Sequence, residues 1–345
     1  MACGLAIAAF AFGAAISDRG GAPPPSLVSQ LPLPRLVGLR LIAGFEGTSV
    51  PEQLRRAVRQ GGLSGVVLFR QNLPSREAAR TLIAELESIP RPAGLRDPLL
   101  VMVDQEGGLV KRLAGAPTAS AAQMGGAGAA RAQGRATAAN LSGVGVNVDL
   151  APVLDVARPG GAIASTERGF GASAAAVEET AVPFAVGLQD LGVAATAKHF
   201  PGLGAAAENT DFAVQRVDLP KRTLRAVDER PYRRFIAAGG GLVMLSTAIY
   251  PAFSPRPAAF ARSIATGELR RRLGFHGVSI TDALESAAAG TDLLLFTDYR
   301  AAMAAGRALR GLLRSAPGSR AAFEASAGRI LRLRRAPASN AARRR

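Results

Sequence analysis

The chemistry in this chain concentrates around a few charged residues set beside short apolar runs. Lys198 and His199 follow the buried-looking run Val193-Ala194-Ala195-Thr196-Ala197. A Phe-Pro-Gly turn then opens a polar loop with Glu208, Asn209, Thr210 and Asp211. Lys198 is one of only three lysines, with Lys111 and Lys221, and His199 one of two histidines, with His276. Asp104-Gln105-Glu106, Asp155, Thr247 and Asp282 each follow another apolar run. A lone Asp after a strand serves most simply as a helix cap. Several such groups converging on one face suit a polyhydroxylated ligand, whose hydroxyls need both acceptor carboxylates and charged donors.

The elements that must bring them together are legible as an alternation. The candidate strands are 38–45, 65–69, 99–103, 146–154, 193–197, 241–246, 277–281 and 292–296. Their Val- and Leu-rich runs lack a two-residue alternation, as do strands buried on both faces. Helical patterns fall between most of them, at 51–60, 75–88, 127–141, 172–191, 220–238 and 265–273, and again at 300–314 and 321–334. This order predicts an α/β fold, a (β/α)8 TIM-type barrel, with the polar groups at the carboxyl ends of its strands where ligands bind. Only residues 283–291 separate the seventh and eighth expected strands, short of the dozen or so a parallel crossover needs. The helix between strands 7 and 8 is therefore expected to be truncated. The Gly107-Gly108 pair is expected to form a turn bringing backbone close to ligand.

The 345 residues, 48% hydrophobic, exceed an ordinary domain yet fit one barrel. The net charge of +16 is carried almost wholly by arginines spread along helices. Trp is absent and Tyr 3 in number, so the aromatic interleaving of a nucleic-acid surface is missing. The single Cys3 excludes an internal disulfide, and the two distant histidines offer no metal-ligand spacing. No G-x-S-x-G or phosphate-loop pattern is present. Gly4 to Ile16 has the length of a signal-peptide core and is too short for a membrane span. The expected organisation is an apolar N-terminal segment at 1–19, a Pro/Gly-rich linker at 20–35, the barrel at 36–334 and a frayed basic tail at 335–345. The location expected is secreted or cell-envelope associated.

Five ordered motifs resemble the catalytic barrel of glycoside hydrolase family 3, in particular its single-domain β-N-acetylhexosaminidases. They are VDQEGGLVKRL at Val103–Leu113, GVNVDLAPVLDV at Gly145–Val156, TERGFG at Thr166–Gly171, AKHFPGLG at Ala197–Gly204 and GFHGVSITDALES at Gly274–Ser286. The resemblance implies that Asp282 is the nucleophile of a retaining glycosidase. It implies that Asp104, Arg112, Arg168, Lys198 and His199 hold the sugar, with Lys198 and Arg168 keeping Asp282 ionised. The implied substrate is a β-linked N-acetylglucosaminide, such as one from peptidoglycan. A monomer is expected, with no metal or organic cofactor and no nucleic-acid partner.

The chain departs from the family pattern in the loop. N-acetylglucosaminidase members carry Asp-Ser-His there, the His being the acid/base. Here the triplet reads Asn209-Thr210-Asp211, the His before it is Leu203, and the frequent His after strand six is Thr247. Three readings stay open. Asp211, or else Glu208, replaces the acid/base; catalysis survives only on good leaving groups; or the chain is a catalytically impaired carbohydrate-binding protein.

Overall fold

The computed structural model describes residues 25–284 and 291–342. Eight parallel strands form one sheet, and they are the eight expected from the sequence, most of them shorter. They are β1 (Leu41–Ala43), β2 (Gly65–Val67), β3 (Leu100–Val103), β4 (Val148–Asp149), β5 (Ala194–Phe200), β6 (Leu242–Leu245), β7 (Val278–Thr281) and β8 (Leu294–Phe296). From β1 to β7 each pairs with the next, and β1 pairs with β8 through Leu41↔Leu294 to Ala43↔Phe296, so the sheet curls into a nearly closed (β/α)8 barrel.

Alternate residues of each strand face two different cores. Ile42, Val67, Leu100, Met102, Val148, Met244 and Ile280 fill the barrel interior. Leu41, Val66, Val101, Val243 and Leu294 face the surrounding helices. Both faces are buried, which is why the strands read as continuous apolar runs. The helices fall within a few residues of the expected ones, although Leu224–Asp228 and Ser263–Arg272 are π-helical. The helix Arg76–Ser88 shows how local chemistry sets a boundary: Ser75 Oγ accepts from Ala78 N at 3.1 Å, satisfying an otherwise orphaned donor. Ser75→Ala is expected to cost about 1 kcal/mol and lower Tm by roughly 2 °C in thermal unfolding.

The barrel has a seam between β7 and β8. One parallel bridge, Ile280↔Leu293, joins them. Beside it the buried carboxylate of Asp292 accepts from Ser279 N at 3.0 Å, Ser326 Oγ at 2.7 Å and Arg329 Nη2 at 2.6 Å, and it pairs with Arg270. Burial would raise its pKa, but Arg329 and Arg270 hold it below the usual carboxylate range. Arg40 donates to the Asp292 and Thr291 carbonyls at 3.1 and 2.5 Å. The C-terminal helix Arg320–Ala342 supplies Ser326 and Arg329, and it adds Ile330 to the interior core. The truncated helix expected between β7 and β8 falls largely on 285–290, outside the described residues.

Three expectations change. The expected linker carries two helices, Pro25–Ser29 and Leu33–Gly38, with Val28, Leu31, Leu36 and Val37 buried in the core. The tail expected to fray continues the last helix to Ala342, with Arg335 paired to Asp97 at 3.0 Å. A short antiparallel hairpin, Gln105–Gly107 with Val110–Lys111, follows β3. Gly108 and Leu109 form its turn, with φ 100° at Gly107 on its edge and 53° at Gly108. A Cβ on Gly107 would sit 2.2 Å from the Ala119 carbonyl, so the close approach there is to the protein's own backbone, not to a ligand. No helix among the described residues is long and apolar enough to cross a membrane. The apolar run at 4–16 lies outside them.

Candidate active site

A cavity of about 230 Å³ opens at the carboxyl ends of the strands. Its charged lining comes from Asp104 after β3, Arg112 after the hairpin, Arg168, Lys198 and His199 on β5, Asp211 on the following loop, and Asp282 after β7. Val67, Phe69, Leu150, Met244 and Leu295 supply the apolar part of the wall. Seven of the eight candidate residues from the sequence are thus brought together. Glu208 is exposed and outside the lining, and Thr247 is also absent from it. Lys198 and His199 lie within β5, which runs on through Phe200 instead of ending at Ala197.

One side of the cavity is an ion cluster. Lys198 Nζ donates to Asp104 Oδ1 at 2.8 Å and to Glu106 Oε1 at 2.6 Å. Arg168 grips Glu106 with two bonds of 2.8 Å, and Arg112 reaches Asp104 at 3.4 Å. Burial works against every charge here. The Lys198, Arg112 and Arg168 cations nevertheless hold Asp104 and Glu106 below the usual carboxylate range, and the carboxylates hold Lys198 and Arg168 above theirs. Glu106 is the residue that sequence reasoning noticed without placing in the site. Its signal was its position two after Asp104, across a hairpin that turns both carboxylates towards Lys198.

The hairpin is fixed from below by Gln105. Its side-chain amide donates to the Leu113 and Ala116 carbonyls at 2.7 and 2.8 Å, and its oxygen accepts from Arg112 N and Leu113 N at 3.0 Å each. Asp149 on β4 lies deeper, accepting from Gln105 N at 3.0 Å. Burial pushes its carboxyl well above the usual range.

His199 is held by Asp155. The ring Nδ1 lies 2.7 Å from Asp155 Oδ2, and Asp155 Oδ1 accepts from His199 N at 3.1 Å and Leu203 N at 2.7 Å. A carboxylate at Nδ1 fixes the ring's orientation and tautomer. Leu203 turns its side chain into the core, 2% exposed. His276 is exposed ahead of β7, away from the cavity.

At Asp282 one expectation holds only in part, since Lys198 favours the ionised form but only weakly. Its Oδ1 accepts from Ala283 N at 2.9 Å, and its pKa is raised, not lowered. Burial is the main cause and Asp211 adds to it, while His199 and, more weakly, Lys198 oppose. Lys198 and Arg168 are committed to Asp104 and Glu106, so the side chain that most opposes the effect of burial on Asp282 is the His199 imidazole. Asp211 is steadied by Asn209, whose amide donates to Asp211 Oδ2 at 2.9 Å while its oxygen accepts from Asp211 N at 3.2 Å. Among the described residues no cluster of His, Cys, Asp and Glu has a geometry that would hold a metal ion.

Known proteins share this barrel. Residues 28–333 match the glycosyl hydrolase family 3 N-terminal domain. An uncharacterized secreted glycosyl hydrolase of Arthroderma benhamiae is 38% identical over 259 residues, covering 72% of this chain and 73% of that protein. A beta-hexosaminidase of Xanthomonas axonopodis pv. citri is 34% identical over 259 residues, with 72% and 75% covered. The glycoside hydrolase family 3 β-N-acetylglucosaminidase of Paenibacillus sp. FPU-7 superposes with a TM-score of 0.81 at 31% identity, over 89% of this chain and 63% of that one. The β-N-acetylhexosaminidase of Beutenbergia cavernae superposes with a TM-score of 0.78 at 29% identity, over 88% and 98%. The chain therefore belongs to glycosyl hydrolase family 3 and is by class a glycosidase built on that family's N-terminal barrel.

Proposed function

We propose that the chain hydrolyses β-linked N-acetylglucosaminides with retention of configuration, Asp282 acting as nucleophile and Asp211 as acid/base. One observation carries this reading: Asp282 and Asp211 line the same small cavity, opposite a cluster that holds its other carboxylates in ion pairs. Asp104 and Glu106 are neutralised by Lys198, Arg112 and Arg168, and Asp104, which lines the cavity, is left to accept from sugar hydroxyls. Among the described residues Asp282 has no such ion-pair partner, and it can attack the anomeric carbon.

Asp211 would donate its proton to the leaving oxygen, then take one from water as the glycosyl-enzyme is hydrolysed. The cavity suits a single sugar ring, and His199, oriented by Asp155, offers its second ring nitrogen to that ring. Removal of terminal residues from glycans such as peptidoglycan fragments, outside the cytoplasm, fits the pocket's size and the secreted relative.

The test follows hydrolysis of an aryl β-N-acetylglucosaminide by proton NMR. The β-anomer of the free sugar is expected to form first and then mutarotate. First appearance of the α-anomer would rule out the double displacement. Absence of turnover across aryl β-glycosides would instead leave a carbohydrate-binding protein. Glu208→Ala is expected to change kcat/KM by no more than about twofold, since its exposed side chain lies outside the cavity lining.

A further inference from the structure

We propose that the mouth of the cavity carries a leaving-group subsite for an apolar aglycone, built from Leu109, Phe212 and Val214. The proposal rests on the reading of the cavity as a sugar site. Among the described residues four large apolar side chains are exposed: Leu109 at 76%, Phe212 at 85%, Val214 at 69% and Leu312 at 52%. Single exposed apolar residues scattered over a surface need no explanation. Here three of the four belong to the two segments that supply the cavity's rim. Leu109 is at the hairpin turn, next to Val110 in the lining, and Phe212 follows Asp211 directly.

The rim's polar groups argue for the chemistry of the occupant. A second sugar ring would ask for free donors and acceptors beside an aromatic face. The loop's amides are already used internally. Asn209 bonds Asp211, Gln215 Oε1 accepts from Glu208 N at 3.3 Å, and Gln215 Nε2 donates to Ala213 O at 3.4 Å. What the loop presents outward is an aromatic ring and a branched aliphatic side chain. Its far end is pinned, Val217 N donating to Ile249 O and Ile249 N to Gln215 O, each at 2.9 Å. The exposed Phe212 ring directly follows the cavity residue Asp211 in the chain, so an alkyl or aryl aglycone is the class that would gain from this surface.

The test is calorimetric titration with the methyl, butyl and hexyl 1-thio-β-N-acetylglucosaminides, which bind without needing turnover. Full burial of a methylene is worth about fourfold in affinity, and a one-sided rim about half that free energy, or roughly twofold each. The hexyl compound is therefore expected to bind roughly thirtyfold more tightly than the methyl one. In Leu109→Ser/Phe212→Ser the gain is expected to shrink to within about twofold, and Phe212→Leu to keep most of it. Affinity independent of chain length, or the same slope in the double variant, would overturn the subsite while leaving the glycosidase reading intact. Binding of none of the three compounds would remove the sugar pocket and the subsite together. Concentration-dependent self-association in sedimentation, lost in the double variant, would make the rim a contact between copies and overturn the proposal.

Discussion

Asp282→Asn is expected to lower kcat/KM for an aryl β-N-acetylglucosaminide by at least about 10⁴-fold, since removal of a nucleophile leaves only binding and positioning to act. The same substitution should not weaken the fold at neutral pH. The Asp282 carboxyl is raised in pKa by burial and by Asp211. A raised carboxyl stabilises the native state fully below its unfolded pKa and loses that contribution as pH rises through the native one. The variant carries no such charge, so it should gain in Tm relative to the parent at pH 7 and lose the advantage under acid conditions. Inactivity with a lower Tm at pH 7 would mean a damaged fold instead of a missing nucleophile. In the parent enzyme, activity should fall as pH drops through the raised pKa, because a protonated Asp282 cannot attack.

Asp211→Ala is expected to split substrates by leaving group. An alkyl glycoside, which needs its oxygen protonated, should lose about 10²–10⁴-fold in kcat/KM, the usual worth of general acid catalysis. A dinitrophenyl glycoside needs little help in that step and should lose less than roughly tenfold in the same comparison. Added azide should restore deglycosylation and yield the β-glycosyl azide, since a small anion can enter where the carboxylate stood. Removing Asp211 also removes a negative charge that pushes Asp282 up. The acid limb of the remaining activity should therefore move to lower pH. Equal losses on both substrates would assign Asp211 to binding instead of proton transfer.

The eight strands were legible because a doubly buried strand leaves an unbroken apolar run, and the gaps between them are filled by helical periodicity. The strand ends were less so. The run 146–154 forms a ladder only at Val148–Asp149, since Pro152 has no N–H to donate and the chain beyond it is held by the single bridge Val153↔Lys198. The hairpin at Gln105–Lys111 was hidden because a turn closed by Gly107 and Gly108 reads equally as a loop. Of the seven lining site residues, Asp104, Lys198, His199 and Asp282 were found from residue type at strand ends and Asp211 from the polar loop, while Arg112 and Arg168 came only from the resemblance to the family. Their pairing was not legible, because which carboxylate takes Lys198 is decided by that hairpin: it places Glu106 within 2.6 Å of Nζ and so withdraws Lys198 from Asp282. Likewise the role of Asp155 depends on β5 continuing to Phe200, which sets His199 N and Nδ1 against one carboxylate.

The Asp292 cluster has a temporal meaning as well as a structural one. It joins Arg40 from the first strand's approach, Arg270 from the middle of the chain and Arg329 from its final helix. During synthesis the carboxylate leaves the ribosome before Arg329 does, so the wall that carries Asp282 cannot be locked until the last helix has emerged. A chain cut short before that helix would keep all seven lining site residues in its sequence and still lack the clasp that brings β7 against β8. Competence for chemistry at the top of the barrel is thereby tied to the arrival of the helix Arg320–Ala342 at the bottom.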